Sequence, residues 1–480
     1  MDIGITVLTD FILSEGPEAV LEAIRDRAGA TAVAINPTVS EPAAEGEGSF
    51  QPPTDGGSSP RLFDRPLWGR DRLWVRAESS FVPDPALYRD CVYGPRRSGA
   101  LTERLGGTVR TFIELAHRAG MHVYFQIGAA APSGLRDEDR PRGPDGVPAA
   151  DPMARTASLA SPAVRAWYRA YLTDLIRAYP EIDGIRVDWP EYPCYTIAEA
   201  FVDFHPAVAA FARGTDMDGL AREIARIRTG LTTGVTDSLL RDWIACGGGG
   251  APIEHLFRRF PALRTWLELK RALAEDYLRF LRSVIDDAGG TGVELAPNAF
   301  PPPFSIITGL PFASLAGIAP WVGVKLYTMH WLQIVRFWTD EIVSLTPGLT
   351  PALVAEALMA LFDVGGALPR PVVADQVRYP EPDEPHAETD DAQRRKIAQA
   401  AIESTVPVEP IVHGYGPLND FTRRLRAAAA VRPQRVWINR YGYLSDAKLD
   451  TIGRVASEIR EALESDRTSC RVRPSSTHSF

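Results

Sequence analysis

Five charged side chains in the middle of the chain have the types and spacing for acid–base or nucleophilic chemistry. The run Gly184-Ile185-Arg186-Val187-Asp188 is short and β-branched, and it ends in the charged, aromatic turn Trp189-Pro190-Glu191-Tyr192-Pro193. Side chains alternate across a strand, so Ile185 and Val187 face one side and Arg186 and Asp188 the other. A buried charge is costly unless it is paired. Arg186 beside Asp188 meets that need and would keep the carboxylate ionised, as a nucleophile must be. The same two residues also fit a plain ion pair with no chemistry.

The pattern recurs downstream. In Gly292-Val293-Glu294-Leu295-Ala296 the acid faces inward between two apolar neighbours, and in Val322-Gly323-Val324-Lys325-Leu326-Tyr327 the inward residues are Lys325 and Tyr327. One carboxylate held ionised and a second in a more apolar site is the pairing that cleaves glycosidic bonds, one attacking and one protonating. Glu294 is the expected second carboxylate, or else a partner of Lys325 or Arg186. Glu191 competes for the role of acid: prolines stiffen its turn, and Trp189 or Tyr192 would lower the local polarity and raise its pKa. Further strand ends carry Asp10, Asn36, Gln126, Asn298, His330, Trp331, His413, Tyr415, Asn439, Arg440, Tyr441 and Tyr443. Aromatic faces stack on sugar C–H surfaces, and Asn, His and Arg bond hydroxyls, so the mixture suits a carbohydrate cleft. His330 and His413 also read as satisfied rim histidines.

Eight β-rich runs must position these residues: 3–8, 30–35, 121–127, 184–188, 292–296, 321–327, 410–413 and 435–439. Helical periodicity follows each, for example over 101–119, closed by Gly120, and from Ser161-Pro162, an N-cap and first turn, to 178. Strand first, helix last and eight repeats predict a (β/α)8 TIM barrel with long loops after its strands, where such barrels build their sites. An open doubly wound sheet is disfavoured because no Gly-x-Gly-x-x-Gly opens the first unit. The barrel is expected to form one domain over 1–464. It would carry a long loop at 37–99, disordered around 41–60 and folding over something in its second half. A helical insertion is expected at 197–287, and a disordered tail at 465–480.

The totals narrow the partners. The 480 residues carry a net charge of −9 and no Lys/Arg block, which excludes a nucleic-acid footprint and leaves a neutral or polar small molecule or oligosaccharide as the default substrate. No apolar run approaches the roughly 20 residues of a membrane helix, and the first ten residues resemble a strand rather than a signal peptide. Cys91, Cys194, Cys246 and Cys470 have neither metal-ligand nor disulfide spacing, so a reduced, cytoplasmic setting without cofactor is expected. His413, His330, Asp188 and Glu191 could converge as metal ligands, but the absence of His-x-His after the first strand and of His-Glu-x-x-His argues against that use.

The segment Gly184-Ile185-Arg186-Val187-Asp188 resembles the fourth-strand Gly-x-Arg-x-Asp of the α-amylase and α-galactosidase superfamily of retaining glycoside hydrolases. The resemblance implies that Asp188 is the nucleophile, Arg186 its support and Glu294 the acid/base. The spread from Tyr179-Pro180 to Tyr192-Pro193 also resembles bacterial family-10-like glycoside hydrolases. The seventh-strand Asn-His-Asp of the amylases is absent from Val412-His413-Gly414-Tyr415. The implied function is hydrolysis of a glycosidic bond by two carboxylates with retention. A non-catalytic carbohydrate- or partner-binding barrel is the alternative, and a metal-dependent hydrolase a further one.

Overall fold

In the computed structural model, residues 1–54, 61–212, 214–247 and 251–471 are described. Eight parallel strands close into a barrel in chain order: β1 (Asp2–Thr6), β2 (Ala32–Ile35), β3 (His122–Gly128), β4 (Gly184–Asp188), β5 (Glu294–Ala299), β6 (Val322–Leu326), β7 (Val408–His413) and β8 (Arg435–Asn439). β8 pairs back onto β1, from Asp2 opposite Arg435 to Thr6 opposite Asn439. All eight expected strands are present, and the chain is a (β/α)8 barrel.

Alternation divides each strand as the sequence predicts. Ile185, Val187, Leu295, Val322 and Val324 point outward and join one continuous core with the surrounding helices. Inside the barrel a separate apolar cluster forms from Ala32, Ala34, Tyr124, Ala296, Trp321, Ile411 and Trp437. Trp321 and Trp437 stack with centroids 5.7 Å apart. Small residues make room for these rings: a Cβ at Gly4 would lie 2.4 Å from the Trp437 ring, and one at Gly184 2.5 Å from Tyr124.

Three parts differ from expectation. The stretch after β2 contains an antiparallel sheet of Thr38–Ala43, Leu73–Ser79 and Ser49–Gln51, with Leu73–Ser79 in the centre. Leu73 and Val75 are buried on one face while Trp74, Arg76 and Glu78 lie opposite, a period of two hidden by its short length among Pro and Gly. The expected disorder over 41–60 is therefore replaced by strands as far as Gln51, and residues 55–60 lie outside the described part. The last helix runs from Asp446 to Arg471. Its C-terminal turns lack Gly and Pro, so nothing stops the helix at 464, and 465–471 are helical; 472–480 lie outside the described residues. A short helix, Thr9–Glu15, follows β1 and was not anticipated.

Helices fill the long stretch between β4 and β5: Ile197–Ala200, Met217–Thr232, Asp237–Cys246, Ala251–Arg259 and Pro261–Asp287. Upstream, the helix Pro162–Ala178 starts as its sequence predicts, with Ser161 Oγ accepting from Val164 N–H at 3.3 Å. No helix of the described chain is long and apolar enough to cross a membrane.

Candidate active site

A cleft of about 500 Å³ opens at the C-terminal ends of the strands. Thr6, Asn36, Gln126, Asp188, Lys325 and Asn439 form its floor, and Trp189, Tyr195, Phe300, Tyr327, His330 and Trp331 its aromatic wall. Gln51, Pro53 and Thr54 close it from the side of the small sheet. A second lobe of about 410 Å³ continues from the same floor past Asn36, Gln126 and Asp188 to Asp10, Arg96 and Tyr171.

Asp188 ends β4 with its carboxylate at the cleft. Gln126 Nε2 donates to Oδ2 at 3.0 Å and Asn298 Nδ2 to Oδ1 at 3.2 Å. The donors come from the two neighbouring strands, Asn298 directly opposite Asp188 in register. Arg186 does not bond Asp188 as the sequence suggests. Its guanidinium donates to Asn298 Oδ1 and Thr6 Oγ1, both at 3.2 Å, and lies 3.8 Å over the Trp437 ring. It therefore supports the carboxylate through Asn298. Burial lowers the Arg186 pKa to about 10.

Lys325 projects from β6 into the cleft and is 3% exposed. Its Nζ lies 3.9 Å from Asp188 Oδ1, 4.0 Å from Glu191 Oε1, and over the rings of Trp189 and Phe300 at 4.3 and 4.6 Å. No acceptor stands within hydrogen-bond distance of it among the described residues. Trp189 adopts φ 60°, a left-handed backbone that costs a bulky residue on the order of 1–3 kcal/mol. In this conformation the Trp189 ring lies under Lys325 Nζ.

Glu191 is fully buried. Phe300 N–H donates to its Oε1 at 2.6 Å and Thr308 Oγ1 donates to its Oε2. Burial, opposed by Lys325 and these bonds, pushes its pKa up to about 7. Since Lys325 Nζ touches both carboxylates, their facing oxygens lie no farther apart than the sum of the two contacts. Glu191 nevertheless stands behind Lys325, outside the lining of the cleft.

Glu294 does not join Asp188. It is the first residue of β5 and pairs with Gly184, whereas Asn298 is level with Asp188. Four residues along a strand is roughly 13 Å, so Glu294 sits at the foot of the lumen, where Tyr124 Oη and Trp321 Nε1 donate to it at 2.8 and 3.0 Å.

Of the other expected contacts, Trp189, Lys325, Tyr327, His330, Trp331, Asn439 and Arg440 line the cleft. Asn298 is buried level with Asp188, to which its Nδ2 donates. Three are turned elsewhere: Tyr192 bonds Asp203 at 3.0 Å, Tyr441 bonds Glu15 at 2.8 Å, and His413 is 1% exposed with Nδ1 accepting from Tyr415 N–H at 3.1 Å. Burial, with Arg440 nearby, holds the His413 pKa well below the usual range. His330 Nδ1 meets Tyr195 Oη at 2.7 Å. Among the described residues no group of three or more His, Cys, Asp or Glu side chains is arranged as metal ligands.

Asp10 is the second acid of the cleft. It stands in the first turn of Thr9–Glu15 and accepts from Ser40 Oγ at 2.8 Å. Burial raises its pKa, against the Ser40 bond and the positive charge of Arg440. Gln51, Tyr195, Phe300, Arg96 and Tyr171 were not singled out in the sequence, since loops and a helix bring them in and no strand period marks them.

Fold and cleft together define a (β/α)8 barrel protein with a charged and aromatic mouth. No protein-family model and no curated protein matches the chain. Among solved structures, a β-galactosidase from the psychrophilic Marinomonas ef1 matches over 97% of this chain and 60% of that one, with TM-score 0.52 and 10% identity. The chain thus spans about three-fifths of that protein's length. The catalytic domain of a β-amylase from Paenibacillus polymyxa (TM-score 0.46, 9% identity, 97% and 98% covered) and an α-galactosidase from Lactobacillus brevis (0.41, 10%, 97% and 41%) align more loosely. At these identities the likeness is one of fold. The resemblance of the fourth strand to particular glycosidase families rests on its motif.

Proposed function

We propose that the protein hydrolyses glycosidic bonds at this cleft, with Asp188 as the carboxylate that attacks or stabilises the anomeric carbon. The observation that carries the reading is the placement of Asp188: an open carboxylate on the floor of an aromatic-walled cleft, oriented by two amide donors and flanked by a buried ammonium. Gln126, Asn298 and Lys325 stabilise the charged form and fix its direction, as preorganised donors must. Trp189 and Tyr327, which are partly exposed, offer aromatic surface for sugar C–H groups. Arg186 positions Asn298. The β-galactosidase with TM-score 0.52 agrees with this reading in fold.

Asp10 is the proposed proton donor. It is the other carboxylate lining the cleft among the described residues, and its raised pKa suits an acid. Glu191 and Glu294, expected from the sequence to fill this role, are sealed from the cleft. Glu191 instead acts as a positioning residue for Lys325.

Leaving-group dependence tests the assignment. An acid variant fails to protonate poor leaving groups yet releases good ones unaided. Asp10→Asn should therefore lose about 10²-fold or more in kcat/KM on alkyl glycosides while keeping near the wild-type kcat/KM on dinitrophenyl glycosides. An equal loss on both substrates, or none on either, overturns Asp10 as the donor.

A further inference from the structure

The cleft is charged against the trend of the whole molecule. The chain carries 61 acidic against 52 basic residues, yet the two lobes are lined by four cations, Arg96, Arg155, Lys325 and Arg440, and two carboxylates, Asp10 and Asp188. Counting Glu191 behind Lys325 leaves the cations in excess.

The excess is localised. Lys325 is flanked by Asp188 and Glu191, and Arg440 lies close enough to Asp10 to lower its pKa. Arg96 has no carboxylate within ion-pair distance among the described residues. Its guanidinium rests on the Tyr171 ring at 4.9 Å, and its Nε is buried with no acceptor. Tyr171 is 1% exposed and stacked on Trp167 at 4.8 Å. Its hydroxyl stands beside Arg96 as a weakly aligned hydrogen-bond neighbour. Both side chains line the second lobe, which shares Asp188 and Trp189 with the first. A buried guanidinium N–H with no acceptor, on a cation with no counter-ion among the described residues, is expensive unless something binds there.

We propose that this lobe is an anion subsite, and that the substrate is an acidic saccharide whose carboxylate or phosphate is received by Arg96 and Tyr171 while the sugar ring lies against Asp188. The planar fork of Arg96 suits either oxyanion group. The aromatic rings beneath it hold it in place without neutralising it. The inference rests on the Asp188 cleft being the substrate site and replaces the neutral substrate expected from net charge alone.

Calorimetric titration of the full chain with D-glucuronate, D-glucose 6-phosphate and D-glucose tests it. At least one of the two anionic sugars should bind the wild type about ten-fold or more tighter than glucose, and which one does so distinguishes carboxylate from phosphate. Arg96→Gln should remove the preference, Arg96→Lys should keep part of it, and Tyr171→Phe should narrow it several-fold. Equal binding of all three sugars, or a preference unchanged in Arg96→Gln, overturns the subsite. Because binding is read without turnover, anionic sugars bound but no glycoside cleaved would overturn the hydrolase reading alone. Neutral glycosides cleaved with no anionic preference would overturn the subsite alone.

Discussion

At the scale of single residues, the site turns on how three charges are shared. Asp188 takes one amide on each oxygen, leaving it oriented yet open, whereas both oxygens of Glu191 are consumed by Phe300 and Thr308. Burial raises the Glu191 pKa from the usual 4.5 to about 7. Between those values the folded protein holds a proton that the unfolded chain has released, so stability falls as pH rises through this window and is flat above it. Glu191→Gln keeps the shape and removes the titration. Its stability relative to wild type, from denaturant midpoints, should improve between pH 4.5 and 8 by on the order of 2–3 kcal/mol. A pH-independent difference would mean that Glu191 is ionised throughout. The sequence marked Asp188, Glu191 and Lys325 correctly as inward or strand-end charges. It did not show which acid would be sealed, because that depends on Phe300 and Thr308, more than a hundred positions away.

At the scale of elements, strand alternation was readable and strand height was not. Period two with β-branched residues located all eight barrel strands and the face of Arg186, Glu294 and Lys325. The fifth strand was expected to end before Pro297, which placed Glu294 in its middle. The strand in fact starts at Glu294 and runs through Pro297 to Ala299, so the acid drops to the foot and Asn298 rises to the site. Pro297 is accommodated opposite Val187, against its usual role as a strand breaker. The lumen depends on matching small residues to large rings. Gly184→Ala would bring a methyl to 2.5 Å from Tyr124, and overpacking of this kind costs typically about 1–3 kcal/mol. The denaturant midpoint should fall accordingly, and an unchanged midpoint would show that the Tyr124–Trp321–Trp437 layer is looser than described.

At the scale of the whole molecule, the barrel places its chemistry at one end and closes it with pieces from distant parts of the chain. The small sheet brings Gln51 to the rim, and helix Pro162–Ala178 brings Tyr171 under Arg96. None of these contributions has a sequence period that points to the site, which is why the cleft's walls were less legible than its floor. Net charge misled for the same reason: an overall −9 says nothing of a cationic mouth. The central claim is that Asp188 is the catalytic carboxylate of a saccharide cleft. Its most direct test is the rate of aryl glycoside hydrolysis by wild type and Asp188→Asn across matched neutral and acidic sugars of both anomers, with thermal melts of both proteins. The wild type should hydrolyse at a measurable rate, Asp188→Asn should lose at least about 10³-fold in kcat, and the two melting curves should be closely similar. An Asp188→Asn protein that retains the wild-type rate would contradict the assignment of Asp188.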